Sequence, residues 1–446
     1  MIKMKNIIIS LGIAICLAVM SKADKMKTST TPSDECSMAS GAEANRIFAY
    51  EMYKVAAKLK PNQNIFLAPT TVGSGLSMML PGARESTKDQ MLEGLMFKNT
   101  STGFEPNDIE CLMKMYSNEL IETKLEDRGK GTKDVKAAKE DTLQLRTANR
   151  LFGEKSFNFS SKFIEQTAKY GVEMTKMNFQ TDSAESRNFI NQWVEKATEG
   201  KIKDLFSGKA IRPDTVLAVV SAIYFKGLWK YPFDPLNTFK QDFKVNDNKT
   251  VKADFMTKMI NYRMTYSEDL EAQILDVPYD GDAYGKYNAS MILIVPTRRG
   301  SIERVEEMLS EKTMKPILDE LQAEQQYTQR VRLLLPKFKM SKTYQLKPIL
   351  RRLGIKNLFN PIRANLSGMI DPSEISPNLY VSTAVHKTFI KVDEKGTEAA
   401  GASGFGIVPL SLPPRLFCNR PFLFMIYEKN TDGVLFIGKV NDPTVQ

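Results

Sequence analysis

Near its C-terminus the chain carries a segment that suits neither a helix nor an ordinary strand. Residues 393–415 read DEKGTEAAGASGFGIVPLSLPPR. From Gly396 to Gly406 nearly every side chain is small, and four of the eleven residues are glycine. Glycine raises the entropic cost of a helix, and small side chains give a strand little to pack. Taken alone, the segment is a surface loop. Its order has a period of two, however. Thr397, Ala399, Gly401, Ser403, Phe405 and Ile407 would share one side of a strand. Glu398, Ala400, Ala402, Gly404, Gly406 and Val408 would share the other. The first set carries no charge and suits a sheet interior. The segment also continues a strong strand pattern, Tyr380–Val392, and can fold back beside it if the sheet opens. From Thr397 to Leu410 it would reach roughly 46 Å at about 3.3 Å per residue. It reads as a strand held in reserve.

The rest of the chain predicts an α+β fold. Ile47, Phe48, Met52, Val55, Ala56 and Leu59 recur at helical spacing. Asp182 and Glu185 form a candidate capping box ahead of Phe189, Ile190, Trp193, Val194 and Ala197, and Gly200 marks the helix end. Val216–Phe225 is a continuous apolar run broken only by Ser221, which predicts a strand buried on both faces. Met291–Val295 and Val331–Leu335 predict further strands, and Phe422–Tyr427 with Val434–Val440 predict a hairpin. Helices come early and strands late without β–α alternation, so the sheets should be mostly antiparallel. With 446 residues, 42% of them hydrophobic, one large core is attainable. The expected organisation is a signal peptide over 1–23, a flexible tail over 24–42 and a single domain over 43–446.

Lys3 and Lys5 precede an apolar run from Ile7 to Met20, and a polar stretch follows at Ser21. That is the pattern of a secretory signal, and the run is short of the ~20 residues of a membrane span. An uncleaved anchor is the alternative. Removing Lys3, Lys5 and Lys22 lowers the formal charge from +10 to +7. A mildly basic chain of this size points to no nucleic-acid partner, and no membrane contact is expected of the mature protein. Secretion makes Asn99, Asn158, Asn248, Asn288 and Asn365 candidate glycosylation sites, since each begins an Asn-X-Ser/Thr triplet. The lysine-rich segment 128–141 reads as a solvated loop, with a glycosaminoglycan site as the alternative. Cys36, Cys111 and Cys418 remain after signal removal, an odd number, and Cys418 lies in an apolar pattern expected to bury it as a free thiol. The single histidine, His386, excludes a His-rich metal site, and no cofactor is expected.

Several blocks resemble one family in the right order. LRTANRLFGEKSFNF, INQWVEKATEGKIKDLF, AIYFKGLWKYPF, LLLPKFKMSKTYQL, VSTAVHKTFIKVDEKGTEAAGA and LFCNRPFLFMI are all similar to serpin sequences. The resemblance covers residues 43–446. It implies three β-sheets, about eight or nine helices and an exposed reactive-centre loop over about 394–415. It also implies a monomeric suicide-substrate inhibitor, not an enzyme, that traps a serine protease as an acyl-enzyme by inserting the cleaved loop into the central sheet. The hinge pattern falls on Glu394, Gly396, Thr397, Glu398, Ala399 and Ala400, and the usual loop length puts the reactive bond at Leu410–Ser411. Leu410 implies chymotrypsin-like targets, of the chymase, cathepsin G or elastase type. His386, Ser221 and Thr71 match the shutter, where the sheet opens. Ser221 stands where the family has Asn, which implies a rewired network. A non-inhibitory serpin-fold carrier of a hydrophobic ligand or hormone is the alternative function. A hydrolase is disfavoured, because the chain lacks GxSxG.

Overall fold

The computed structural model describes residues 38–101, 143–168, 173–208, 210–281, 288–323, 328–373, 378–397 and 413–446. The signal segment, segment 128–141, Cys36, Cys111, Glu398, Ala399, Ala400 and the Leu410–Ser411 bond lie outside the described residues.

The described helices are α1 (Met38–Leu59), α2 (Pro69–Ser77), α3 (Glu85–Gly94), α4 (Ser161–Ala168), α5 (Phe179–Ala197), α6 (Ile302–Met308), α7 (Glu311–Gln322) and α8 (Leu346–Arg352). The strands are β1 (Ile65–Leu67), β2 (Leu143–Glu154), β3 (Met174–Met177), β4 (Leu217–Leu228), β5 (Phe239–Asn246), β6 (Lys249–Ser267), β7 (Ala272–Pro278), β8 (Ala289–Pro296), β9 (Thr328–Pro336), β10 (Phe338–Gln345), β11 (Thr383–Val392), β12 (Gly396–Thr397), β13 (Arg415–Phe417), β14 (Phe422–Glu428) and β15 (Gly433–Val440).

The fold is α+β. Among the described residues its strands form two hydrogen-bonded networks. The central sheet runs β10-β11-β4-β2-β3, with β12 added on β4. The other runs β1-β15-β14-β8-β7-β6-β9-β13, with β5 on β6. The long strand β6 unites what would otherwise be separate sheets: its start pairs β5, its middle β9 and its end β7.

Two early expectations are corrected. Helix α1 begins at Met38, with Ser40 and Ala42 already buried, so residues 38–42 belong to the fold and not to the tail. The stretch MASGAEAN is rich in helix-favouring alanine, which extends the helix upstream of the apolar pattern. In α5 the capping box does not form. Asp182 has non-helical angles (φ −131°, ψ 49°), and its carboxylate accepts from Asn178 Nδ2 at 2.6 Å and Thr181 Oγ1 at 3.0 Å. The helix is kinked there. Its buried stripe is Ser186, Ile190 and Val194, while Phe189 is 45% exposed. That stripe covers Ala148 and Phe152 of β2 and Ala218, Val220 and Ala222 of β4. Leu217–Phe225 is wholly buried, as its unbroken hydrophobicity predicts.

Strand β1 positions the candidate site. One edge pairs with β15, from Ile65↔Lys439 to Leu67↔Ile437. The preceding residue fixes it to the C-terminus: Asn64 Nδ2 donates to the carbonyls of Asp442 and Val445, both at 2.7 Å. Asn64 Oδ1 accepts from the backbone N–H groups of Asn441 at 2.8 Å and Asp442 at 2.9 Å. Replacing Asn64 with alanine orphans two buried N–H groups, each costing about 1–3 kcal/mol. Asn64→Ala is expected to lower the unfolding free energy by about 2–4 kcal/mol in urea titration. A change below about 0.5 kcal/mol would show that β1 is held by other means.

Candidate functional site: a seam, a latch and a buried histidine

The central sheet contains a seam. Strands β4 and β11 run parallel and pair from Ala218↔Thr383 to Tyr224↔Phe389. Both strands continue past that point without pairing to each other. At this open end the chain leaving β11 turns back, and Gly396 and Thr397 pair antiparallel with Leu228 and Gly227 of β4. The first two residues of the small-residue segment therefore pair with β4.

The turn is closed by Asp393 N–H to Gly396 O at 2.9 Å and Gly396 N–H to Asp393 O at 3.2 Å. Gly396 has φ +137°, and a Cβ there would lie 2.2 Å from the Gly227 carbonyl oxygen. Only glycine fits. Trp229 clamps the same turn. Its Nε1–H donates to Asp393 O at 3.0 Å and its backbone N–H to Lys395 O at 3.1 Å, while its ring stacks on Tyr279 at 4.7 Å. Phe233 N–H donates to Glu394 O at 2.8 Å. The Glu394 carboxylate accepts from Thr238 Oγ1 at 2.8 Å and pairs with Lys337 Nζ at 2.8 Å. Burial would raise the pKa of Glu394, but Lys337 and Thr238 outweigh it and hold the carboxyl below its ordinary value. Of the six expected hinge residues, Glu394, Gly396 and Thr397 thus meet at the mouth of the seam. Trp229 and Lys337 complete the latch. The strand pattern hides both, since their partners are far away in the chain.

Deeper in the seam lies His386, fully buried. Its Nε2 accepts from Ala68 N–H at 3.0 Å. A backbone N–H can only donate, so the ring proton sits on Nδ1. From there it faces the Ser221 carbonyl at 3.1 Å and the Ser221 hydroxyl at 3.2 Å, across the seam. Burial pushes the pKa of His386 down from 6.5 to about 4, against the hydrogen bond to Ser221, so the ring is neutral. Two more side chains of the central sheet satisfy the free edge of β1. Phe66 N–H donates to Tyr344 Oη at 3.2 Å, and Thr388 Oγ1 donates to Phe66 O at 2.8 Å.

His386 and Ser221 meet across the seam, while Thr71 contributes only its backbone. Its hydroxyl is buried with no hydrogen-bond partner, and only its carbonyl takes part, accepting from Asn149 Nδ2 at 3.3 Å. Thr71 lies on α2, whose side-chain directions are set by the helix rather than by the seam. Asn149 stands opposite Ser221 in the β2–β4 register. It is the residue missed, and its signal was a polar side chain inside the apolar pattern LRTANRLF.

Asn99, Asn158, Asn248 and Asn288 are exposed. Asn365 is half-buried, its Nδ2 donating to Glu85 Oε2 at 3.2 Å and its Oδ1 accepting from Ser367 Oγ at 2.8 Å. Cys418 is a buried free thiol whose pKa burial pushes well above the ordinary value. Among the described residues no helix is long and apolar enough to cross a membrane, and no cluster of three or more His, Cys, Asp or Glu could hold a metal ion.

A family model described as "Serpin (serine protease inhibitor)" matches residues 43–443. The chain is 36% identical to alpha-1-antiproteinase 2 of Equus caballus over 398 residues, which is 89% of this chain and 86% of that protein. Among solved structures it is similar to human glycosylated kallistatin, with a TM-score of 0.76, 32% identity and coverage of 92% of this chain and 99% of that one. It is also similar to human thyroxine-binding globulin complexed with thyroxine, with a TM-score of 0.74, 28% identity and coverage of 92% and 100%.

Two outcomes follow from the geometry. Unfolded chains protonate the histidine near pH 6.5, whereas the buried ring resists until about pH 4. Stability is therefore lost as pH falls through that window, by up to about 3 kcal/mol. Unfolding measured at several pH values should show a shallower slope in this window for His386→Gln; an unchanged slope would remove His386 as the sensor. Separately, Gly396→Ala should expel the turn from β4 and red-shift the fluorescence of Trp229, with Trp229→Phe as the control spectrum. An unshifted emission maximum would show that the turn survives a side chain.

Proposed function

The chain belongs to the serpin family, and from that premise we propose that it is a secreted, monomeric suicide-substrate inhibitor of chymotrypsin-like serine proteases. The observation that carries this reading is the antiparallel pairing of Gly396–Thr397 with Leu228 and Gly227 at the open end of the seam.

In this reading the protease serine attacks the Leu410 carbonyl. The Leu410–Ser411 bond breaks, the Ser411 amine leaves with a proton from the protease histidine, and Leu410 remains as an ester on the protease. The cut frees the loop from its second anchor, where Arg415–Phe417 pairs with Arg332–Leu334 of β9. Pairing on β4 then extends residue by residue from Thr397↔Gly227. In that register Ala399 comes opposite Phe225, Gly401 opposite Ile223, Ser403 opposite Ser221 and Phe405 opposite Val219, all on the inner face. Glu398 comes opposite Lys226 on the outer face. The uncharged set thus enters the core, and the one charged residue meets a lysine. Ser403 arrives level with His386, where it offers a hydroxyl to replace the bond to Ser221 that the parting of β4 and β11 breaks. Each new backbone hydrogen bond adds about 0.5–1.5 kcal/mol net. The attached protease is carried along, and distortion of its oxyanion hole stops deacylation.

Leu410 fits an apolar primary pocket, as in chymotrypsin, chymase or cathepsin G types. Elastase-type enzymes favour smaller residues, and Arg415 lies too far along the loop to serve a trypsin-like enzyme. The similarity to thyroxine-binding globulin supports the second reading, a non-inhibitory carrier of a hydrophobic ligand.

Incubation with chymotrypsin followed by denaturing electrophoresis separates the two. The inhibitor gives a covalent complex, and the carrier gives only a clipped chain. Thr397→Arg, which puts a charge on the inner face, should abolish the complex while leaving cleavage intact. A complex of undiminished yield from that variant would rule out insertion as the trapping step.

A further inference from the structure

Strand β13 sets one arginine directly beside another. Arg415 pairs in register with Arg332 of β9, and Pro414 O accepts from Arg332 N–H at 2.9 Å. The two side chains therefore leave neighbouring strands on one face of the sheet, and both are exposed. Arg330, two residues back on β9, shares that face and is half-buried. Like charges directly opposite one another destabilise a sheet. Among the described residues none of these three guanidinium groups forms an ion pair. Arg46, Arg146, Arg150 and Arg212 each meet a carboxylate, so the missing partner is a local feature.

The ground between the arginines is apolar. Met259 of β6 stands opposite Arg332, and Leu334 of β9 opposite Phe417, each half-buried on the same face. The Phe417 ring packs edge-on against buried Phe255 at 5.5 Å, which holds it in place. Arginine, methionine and aromatic residues are enriched in protein interfaces, while lysine, aspartate and glutamate are depleted. A polyanion needs cations and no apolar floor. Arginines around half-buried apolar side chains suit a folded protein with an acidic surface.

Position indicates which protein. In the reading above the cut falls between Leu410 and Ser411. Arg415 lies four residues beyond Ser411, at most about 14 Å along the chain. Arg332 is one strand spacing to the side, about 4.8 Å. Arg330 comes level with residue 413, nearer the cut. An interface of standard size covers about 800 Å² on each partner, a disc of about 16 Å radius. A protease seated on the bond reaches all three arginines within that disc.

We propose that Arg330, Arg332 and Arg415 form a second contact for the target protease. They select, among chymotrypsin-like enzymes, those with an acidic surface beside the cleft that holds the residues following the cut. This deepens the inhibitory reading and rests on its cut at Leu410–Ser411, not on trapping. Exposed charges of this kind act on the rate of encounter, by steering an oppositely charged surface onto the bond.

The test follows the second-order rate at which the full-length protein is attacked, counted as covalent complex plus clipped chain, with the cut mapped by mass spectrometry. One protease is chymotrypsin, and the other is chymotrypsin with its lysines succinylated, which turns surface cations into carboxylates. Each exposed ion pair is worth about two- to threefold, so wild type should react about eight- to thirtyfold faster with the succinylated enzyme at low salt. Rising salt should erode that advantage. Arg330→Ala/Arg332→Ala/Arg415→Ala should cut it below about threefold, and the Lys counterpart should keep most of it. Lys155→Ala/Lys162→Ala/Lys356→Ala lowers the net charge equally outside this sheet and should leave the advantage in place. If the arginine variant does not fold, Arg332→Gln alone should reduce the advantage about two- to threefold. A wild-type advantage in the arginine variant, or an equal loss in the lysine control, would overturn the proposal; heparin affinity lost in that arginine variant would then assign the patch to a polyanion. A clipped chain without complex, at rates that keep the arginine dependence, would remove the inhibitor and leave the contact standing. A complex formed without arginine dependence would do the reverse.

Discussion

The parallel contact between β4 and β11 is the interaction on which the rest depends. It holds two halves of one sheet together through seven register pairs, Thr383↔Ala218 to Phe389↔Tyr224, with polar groups at its centre. An all-apolar seam would gain more from burial. Here His386 bonds to Ser221 on one side and to Ala68 on the other, so the seam, β1 and α2 share one network. Such a network is stable only while every member is satisfied, because an unpaired buried polar group costs more than a pair gains. Thr71 Oγ1 and Asn149 Oδ1 already lack partners. The seam is thus held by a polar network at its centre together with the buried apolar pairs on either side of it.

The latch at the mouth follows the same physics with opposite exposure. Trp229, Glu394 and Lys337 gather at the turn that starts the returning strand, and a glycine with positive φ lets the backbone approach within van der Waals limits. The lowered pKa of Glu394 means that its contribution is present above the ordinary carboxylate range and is lost as pH falls through its own value. The neutral state of His386 fails in the same direction, since acid favours the charged ring that only the unfolded or opened chain accommodates. Both therefore hold near neutrality, and in acid the contribution of His386 begins to fall first, from pH 6.5 downward, before that of the latch.

Much of this was legible in the chain. Unbroken hydrophobicity from Leu217 to Phe225 required a strand covered on both sides, and Gly396–Thr397, where the small-residue segment begins, pair with β4. The first of these follows from a local rule of period and burial. The α5 kink was not legible, because Asn178 and Thr181 compete for the Asp182 carboxylate that a capping box would use. Nor was the role of Asn149, whose partner is a backbone carbonyl on α2. Thr71 was placed by resemblance, and its hydroxyl is buried without a hydrogen-bond partner.

By itself the order of residues determined the elements, the buried strands, the small-residue segment and the family, because each follows from patterns a few residues long or from blocks in fixed succession. Only the tertiary structure decided that β11 lies parallel to β4, that Gly396 must be glycine, and that His386 is neutral with its proton on Nδ1. These depend on groups more than a hundred residues apart in the chain, such as His386 with Ser221 and with Ala68. A side chain's protonation and a backbone's required angle are set by what folds against them, which no local pattern records.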